Sequence, residues 1–203
     1  MTTEVFSLFP TPVFKKNISL DPNLVSYVKD IKDKELVNNV GNKLSSDNFI
    51  LEQPKFKDIK TVFQNALEEY FTTIMGVSKV KPYITQSWLN YTYKGQYHHA
   101  HHHMNSYLSG VFYFNANKDY HSIHFLKVGY TAINPYDDDT IWNDWNAEEY
   151  RFPVETGTLL LFPSHLNHKV EQNPIDEVRI SLSFNTFLKG TLKANNLLSF
   201  LQL

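Results

Sequence analysis

Val80-Lys-Pro-Tyr-Ile-Thr-Gln-Ser-Trp-Leu-Asn-Tyr-Thr-Tyr93 roughly alternates apolar and polar side chains and is rich in β-branched and aromatic residues. Such a period of two puts successive side chains on opposite faces of a strand. A half-buried strand is therefore expected here, closed by a turn at Lys94-Gly95. Upstream the period changes. Ile59, Val62, Phe63, Ala66, Leu67, Tyr70, Phe71 and Ile74 recur at three- and four-residue spacing, which predicts an amphipathic helix with Gly76 as its stop. Asp21-Pro22 reads as an N-cap followed by proline in the first helical position, opening a shorter helix that runs to near Lys34. Residues 4–20 read as an arm or an edge strand pair, because Pro10 and Pro12 forbid a central strand. Residues 35–54 are mostly polar and read as a loop.

Downstream, the stretches Tyr107 to Phe114, His121 to Val128, Gly157 to Pro163, His168 to Gln172 and Val178 to Asn185 are expected strands, with a turn at Asn173-Pro174-Ile175-Asp176. Residues 134–150 form a long acidic, aromatic loop, a length that often marks a lid or a binding loop. Two helices followed by many short antiparallel strands predict a mainly β fold. The expected architecture is a double-stranded β-helix, a cupin-like jelly roll, with the N-terminal helices packed on one sheet. One domain is expected over 1–203: arm and helices to residue 76, β core over 77–190, and a tail over 191–203.

Composition narrows the function. The net charge is −2 with no basic block, so nucleic acid is unsupported as a partner. There is no cysteine, which removes disulfides, thiolate metal sites and a cysteine nucleophile. The start lacks the pattern of a signal peptide, and no apolar run is long enough for a membrane span. A cytoplasmic protein is the expectation. The 15 Phe and 12 Tyr favour a β fold with a ring-lined cavity.

Chemistry concentrates at Gln96-Tyr-His-His-Ala-His-His-His-Met-Asn-Ser106, where His98, His99, His101, His102 and His103 crowd together. No Asp or Glu occurs between Gln96 and Lys118, and neutral imidazole is the commonest metal ligand. On a regular strand His99, His101 and His103 share one face, leaving His98 and His102 pointing away. His168, beyond the strand Leu159–Phe162, is the natural distant ligand, with His165 in the turn before it. Arg179 is one of only two arginines among 19 basic residues, and it sits on an otherwise apolar strand. A buried charge there needs a partner. If residues 178–185 fold back along 166–172, Arg179 and Ser181 fall near Val170 and His168. A guanidinium with a hydroxyl two residues on is then suited to a carboxylate. The plain alternative pairs Arg179 with Asp176 or Glu177. Trp88, Asn90 and Tyr113 lie on strands with a face open to such a cavity, and Asn185 either binds there or only pairs backbone. Without Arg179 the cluster reads as a solvated metal-binding loop.

His101-x-His103…His168, with Arg179-x-Ser181 beginning eleven residues later, resembles the Fe(II)/2-oxoglutarate-dependent oxygenase superfamily. More narrowly it resembles the uncharacterised 2OG-Fe(II) oxygenase family of bacteria and marine phages. The matching stretches are Leu8-Phe-Pro-Thr-Pro-Val13, Ser87-Trp-Leu-Asn90, His101-His-His-Met-Asn-Ser-Tyr-Leu-Ser-Gly-Val111, Gly157-Thr-Leu-Leu-Leu-Phe-Pro-Ser164, His168-Lys-Val170 and Arg179-Ile-Ser-Leu-Ser-Phe-Asn185. The resemblance implies a jelly roll using Fe(II), O₂ and 2-oxoglutarate, with metal ligands His101, His103 and His168. It implies that the keto acid end of 2-oxoglutarate meets the iron and its far carboxylate meets Arg179 and Ser181; from their strand positions, Asn90 and Asn185 are the candidate further cosubstrate contacts. Trp88, Tyr113 and His99 would line the substrate pocket. Decarboxylation to succinate would drive hydroxylation of a C–H bond in a small molecule or a protein side chain. A phage-encoded protein would act in the host cytoplasm, and a homodimer is one option.

Position 103 departs from the superfamily's usual two histidines and one carboxylate. A three-histidine site is expected; the alternative leaves His103 unliganded and the metal open to another anion, as in related halogenases. A non-catalytic metal- or sugar-binding jelly roll, and a three-histidine cupin-like dioxygenase that needs no 2-oxoglutarate, are the competing functions.

Overall fold

The strand Arg179–Lys189 lies at the centre of a seven-stranded antiparallel sheet, hydrogen-bonded on both edges. The computed structural model describes residues 2–31, 35–127, 129, 133, 135–193 and 198–203. In chain order the strands are β1 (Phe14–Asn17), β2 (Leu36–Asn38), β3 (Lys43–Ser45), β4 (Lys81–Thr92), β5 (His98–His101) and β6 (Leu108–Asn115). They continue with β7 (Ser122–Leu126), β8 (Glu149–Pro153), β9 (Thr158–Pro163), β10 (His168–Val170) and β11 (Arg179–Lys189), then the short pair β12 (Thr191–Leu192) and β13 (Leu201–Gln202). The large sheet has the order β1-β9-β6-β11-β4-β3-β2 and a smaller one the order β5-β10-β7-β8. Two facing antiparallel sheets with helices on one side make the jelly roll expected from the sequence.

Alternation sorts the large sheet into two faces. Leu89, Tyr91, Phe112, Phe114, Leu159, Leu161, Ile180, Leu182 and Phe184 pack with the helices in one core. Val111, Tyr113, Leu160 and Phe162 point the other way and meet Ile123 and Phe125 of the small sheet in a second. The helix α2 (Lys57–Glu69) supplies Ile59, Phe63, Ala66 and Leu67 to the first core, and its stripe continues through a wider π turn over Tyr70–Ile74. Gly76 stops it at φ 64°, a backbone that glycine adopts without strain. The helix α1 (Pro22–Lys29) begins as expected, with Asp21 accepting from the Asn23 amide at 2.9 Å and Pro22 in the first turn. It ends at Lys29; the expected extension to Lys34 passes into residues outside the described ones.

Three expectations need correction. Residues 35–54 contain the hairpin β2–β3, which adds to the edge of β4. Its polar composition fits an edge strand with one face wet. Residues 4–20 yield only one strand, β1, an edge strand that pairs with β9 beyond the two prolines. Finally, β11 does not fold back on β10. It pairs with β4 and β6, while β10 pairs with β5 and β7. The turn at Asn173–Asp176 therefore carries the chain from one sheet to the other, and Arg179 meets the histidines across the sandwich. The end of the expected strand at Val128 and the start of the expected loop at 134 lie outside the described residues.

Gly110 is the tightest fit in the sheet. It pairs with Phe184, and a Cβ there would sit 2.0 Å from the Phe184 ring. That ring also stacks on Phe63 of α2, with centroids 5.3 Å apart. Gly110→Ala should therefore push the ring against α2 and lower stability by about 1–3 kcal/mol. Urea unfolding checks this, and an unchanged midpoint would contradict the packing described.

Candidate metal centre

Three imidazoles converge at one end of the space between the sheets. His101 ends β5, His168 opens β10 directly opposite it, and His103 follows in the turn after β5. One ligand atom from each lies within 4.8 Å of the other two, and among the described residues no carboxylate joins them. Each ring is held through Nδ1. His101 Nδ1 donates to the His99 carbonyl at 2.8 Å and His168 Nδ1 to the Leu166 carbonyl at 3.0 Å. His103 Nδ1 donates to Asn185 Oδ1 at 2.5 Å. These acceptors fix the tautomer and leave Nε2 of each ring free, which is how outer partners prepare a metal-binding histidine. The turn carrying His103 is anchored in turn. Its amide donates to the Ser164 carbonyl at 2.9 Å, and buried Ser164 and Ser109 hydroxyls pair at 2.9 Å beneath it.

The cavity beside these rings holds about 480 Å³ of empty space, its open mouth included. The large sheet lines it with Trp88 and Asn90 of β4, Val111 and Tyr113 of β6, and Arg179, Ser181 and Ser183 of β11. The small sheet contributes His98, His101, His168 and Val170. Trp88 stacks over His103 with centroids 5.8 Å apart. Asn185 does not line the cavity; its side chain is spent on His103.

Arg179 is buried, at 3% exposure. Its Nη2 donates to Thr92 Oγ1 at 2.9 Å, while Nε is buried without a partner. The expected alternative fails, since Asp176 accepts from Lys94 and no ion pair reaches Arg179 among the described residues. Burial draws its pKa down to about 10, against the opposing pull of Tyr113, so it stays cationic at neutral pH. Burial likewise pushes the Tyr113 phenol up to about 12, which keeps it a hydrogen-bond donor. Asn90 donates through Nδ2 to Ser183 Oγ at 3.0 Å, and its Oδ1 is buried without a partner.

The structure exchanges two histidines relative to the reading by parity. His99 is exposed and outside the cavity, and His98 is inside it. The cause is a bulge. His101 faces His168 and His98 faces Val170, so three steps on β5 oppose two on β10. An extra residue inverts side-chain parity, and positions 98 and 101 share a face. Their rings stack with centroids 4.3 Å apart. No composition rule marks a bulge in a run of similar residues. His102 and His165 are exposed, as expected.

A second group, His124, Glu149 and Glu171, also has ligand atoms within 4.8 Å of one another. It lies on the other face of the small sheet. Lys169 Nζ already sits between the two carboxylates, at 2.9 and 2.8 Å, and His124 Nδ1 is paired with Glu149. One of its two negative charges is thus offset from within.

Residues 86–185 match the family model described as "Putative 2OG-Fe(II) oxygenase". That segment is thus similar to 2OG-Fe(II) oxygenase domains. It contains every side chain placed around the cavity above. Fe(II) and 2-oxoglutarate are the cofactors of such a domain, and the residues present fit both: three free imidazole nitrogens for a metal, and an unpartnered guanidinium Nε for an anion. A comparison with curated protein sequences gives no match. Among solved structures, the α-ketoglutarate-dependent epimerase SnoN from nogalamycin biosynthesis shares 12% identity over 93% of this chain and 83% of its own, with a TM-score of 0.63. HygX from Streptomyces hygroscopicus, crystallised with nickel, 2-oxoglutarate and hygromycin B, shares 10% over 87% and 82%, with a TM-score of 0.59. A Pseudomonas putida prolyl-4-hydroxylase shares 14% over 86% and 92%, with a TM-score of 0.56. At these identities the likeness is one of fold. Among the described residues no helix is long and apolar enough to cross a membrane.

The cavity histidines make the metal-free protein acid-sensitive. Burial, then mutual repulsion, draws His98 and His168 down to about 3; burial also draws His101 to about 4 and lowers His103. In the unfolded chain they protonate near the ordinary value of about 6.5. Between those values the unfolded state binds more protons, so stability is level above about 6.5 and falls as pH drops toward 4. Melting in EDTA from pH 7.5 to 4.5 should show this decline, and His168→Gln, which removes one of the four, should lessen it. A wild-type midpoint that stays constant below pH 6 would refute the assignment.

Proposed function

We propose that this chain is a single-domain dioxygenase that uses Fe(II), 2-oxoglutarate and O₂ to hydroxylate a C–H bond of a second substrate, releasing succinate and CO₂. The observation that carries this reading is Arg179. A buried guanidinium with no carboxylate beside it is costly, by several kcal/mol, unless the missing anion is a ligand. It lines the same cavity as the three converging imidazoles, so one molecule with an anionic end and a metal-chelating end suits both.

In this reading His101, His103 and His168 hold the iron through Nε2, each kept in place by its Nδ1 acceptor. Arg179 and Ser181 bind the far carboxylate of 2-oxoglutarate, and the Tyr113 phenol adds a donor on the neighbouring strand. Asn90 is a weaker candidate for that carboxylate, because its free atom Oδ1 accepts and cannot pair with an anion; turning the amide would present Nδ2 instead. Asn185 orients His103. Trp88, stacked on His103, shields the metal end and forms the substrate wall together with Val111. Iron and 2-oxoglutarate supply the oxidising chemistry; the protein supplies binding, orientation and exclusion of water. With three neutral ligands the site carries more positive charge than one with a carboxylate, which favours a dianionic cosubstrate. The second substrate is a small molecule or a protein side chain, and the absence of cysteine is consistent with a cytoplasmic setting.

Protein loaded anaerobically with Fe(II) and 2-oxoglutarate should form succinate when O₂ is admitted, and an iron-loaded sample that binds no 2-oxoglutarate would sink the proposal. Arg179→Met should weaken 2-oxoglutarate binding by at least about 30-fold, given the 2–5 kcal/mol typical of a buried charge pair. Iron content should not change. The same substitution removes a buried unpaired charge, so the cosubstrate-free protein should become more stable, by about 1–4 kcal/mol. His168→Ala should lose the metal; retention of stoichiometric iron would exclude His168 as a ligand.

A further inference from the structure

Four histidines line the cavity or close its metal end, and three of them are bonded through Nδ1. His98 is the fourth. Neither of its ring nitrogens has a hydrogen-bond partner among the described residues. It is not part of the converging group, so the metal-centre reading gives it no task.

Its position suggests one. On β5 it stands opposite Val170, the next paired position beyond the His101–His168 pair. On the facing sheet Arg179 lies two residues from Ser181 and four from Ser183, and all three line the same space. His98 shares the lining of this cavity with both His168 and Arg179. A molecule that spans from the metal end to the guanidinium occupies the cavity that this ring lines.

A bland role is available: the ring stacks on His101 and could serve only as packing. Packing alone favours leucine or phenylalanine, since a half-buried imidazole gives up part of its hydration and recovers it only through hydrogen bonds. The other three rings recover it from protein acceptors. His98 faces the cavity with no hydrogen bond to the protein among the described residues, which leaves its ring N–H available to what the cavity holds.

We propose that His98 is a cosubstrate-binding residue, whose ring N–H donates a hydrogen bond to an oxygen of the keto dicarboxylate held between the metal end and Arg179. The assignment rests on the reading of the cavity as a 2-oxoglutarate site. It makes the small sheet a participant in cosubstrate recognition, where Arg179, Ser181 and Tyr113 all belong to the large one. It also gives the β5 bulge a purpose, since a regular strand would present His99 at this face.

The test compares wild type, His98→Leu and His98→Gln, each loaded with Fe(II) anaerobically, by metal analysis and calorimetric titration with 2-oxoglutarate. Leucine keeps the bulk and removes the donor; glutamine restores a donor. His98→Leu should hold iron at the wild-type level and bind 2-oxoglutarate about 10-fold or more weakly, as expected for one hydrogen bond to a charged group. His98→Gln should recover most of that loss, a rescue that a packing role would not give. Loss of iron in His98→Leu would make the residue a ligand and overturn the proposal. Unchanged 2-oxoglutarate affinity, or equal weakening in both variants, would overturn it in favour of packing. Failure of the wild type itself to bind 2-oxoglutarate would instead refute the underlying reading of the cavity.

Discussion

The period-two alternation of β11 is the constraint on which the rest of the molecule depends. This strand runs through the middle of the large sheet and is paired on both sides, so its faces cannot be exchanged locally. Ile180, Leu182 and Phe184 enter the helix-covered core, where Phe184 fills the space left by Gly110 and stacks on Phe63. Arg179, Ser181 and Ser183 enter the cavity, and Asn185 reaches His103. A slip of one residue would turn four polar side chains toward the helix-covered core and three apolar ones toward the ligand space. Packing on one face thus holds the chemistry on the other in register.

The metal end obeys a different logic. Three imidazoles are gathered without a carboxylate, and all three are neutral because burial disfavours their charged forms. Their acceptors are two backbone carbonyls and one amide oxygen, none of which carries a charge. The site therefore contributes no negative charge of its own, while Arg179 contributes a positive one. A cavity built this way has the chemistry to suit an anion as well as a metal ion. The Lys169-filled cluster on the other face of the small sheet shows the contrast, since there two carboxylates meet a cation from the protein itself.

Much of this was legible in the chain. The helical stripe ending at Gly76, the cap at Asp21-Pro22, the alternation of residues 80–93 and the apolar strand around Leu159–Phe162 each follow from local spacing, and the structure contains each of them. The isolation of Arg179 on an apolar strand was visible too. Three features were not. The hairpin at 36–45 is polar because it lies at a sheet edge, where composition resembles that of a loop. The parity of His98 and His99 depends on a bulge created by pairing with β10. The link between His168 and Arg179 looked like a hairpin contact because they are close in sequence, whereas the intervening turn carries the chain across the sandwich.

By itself, the sequence determined the period of the main strands and helices and the inventory of groups able to bind metal and anion. Both are local properties: side-chain spacing along a strand or helix, and residue type. Only the tertiary structure decided which strand pairs with which, and hence that β5 bulges, that His98 enters the cavity in place of His99, and that Arg179 faces the histidines with no carboxylate of its own. Those outcomes depend on hydrogen bonds between segments dozens of residues apart, and no local pattern encodes the partner of a strand.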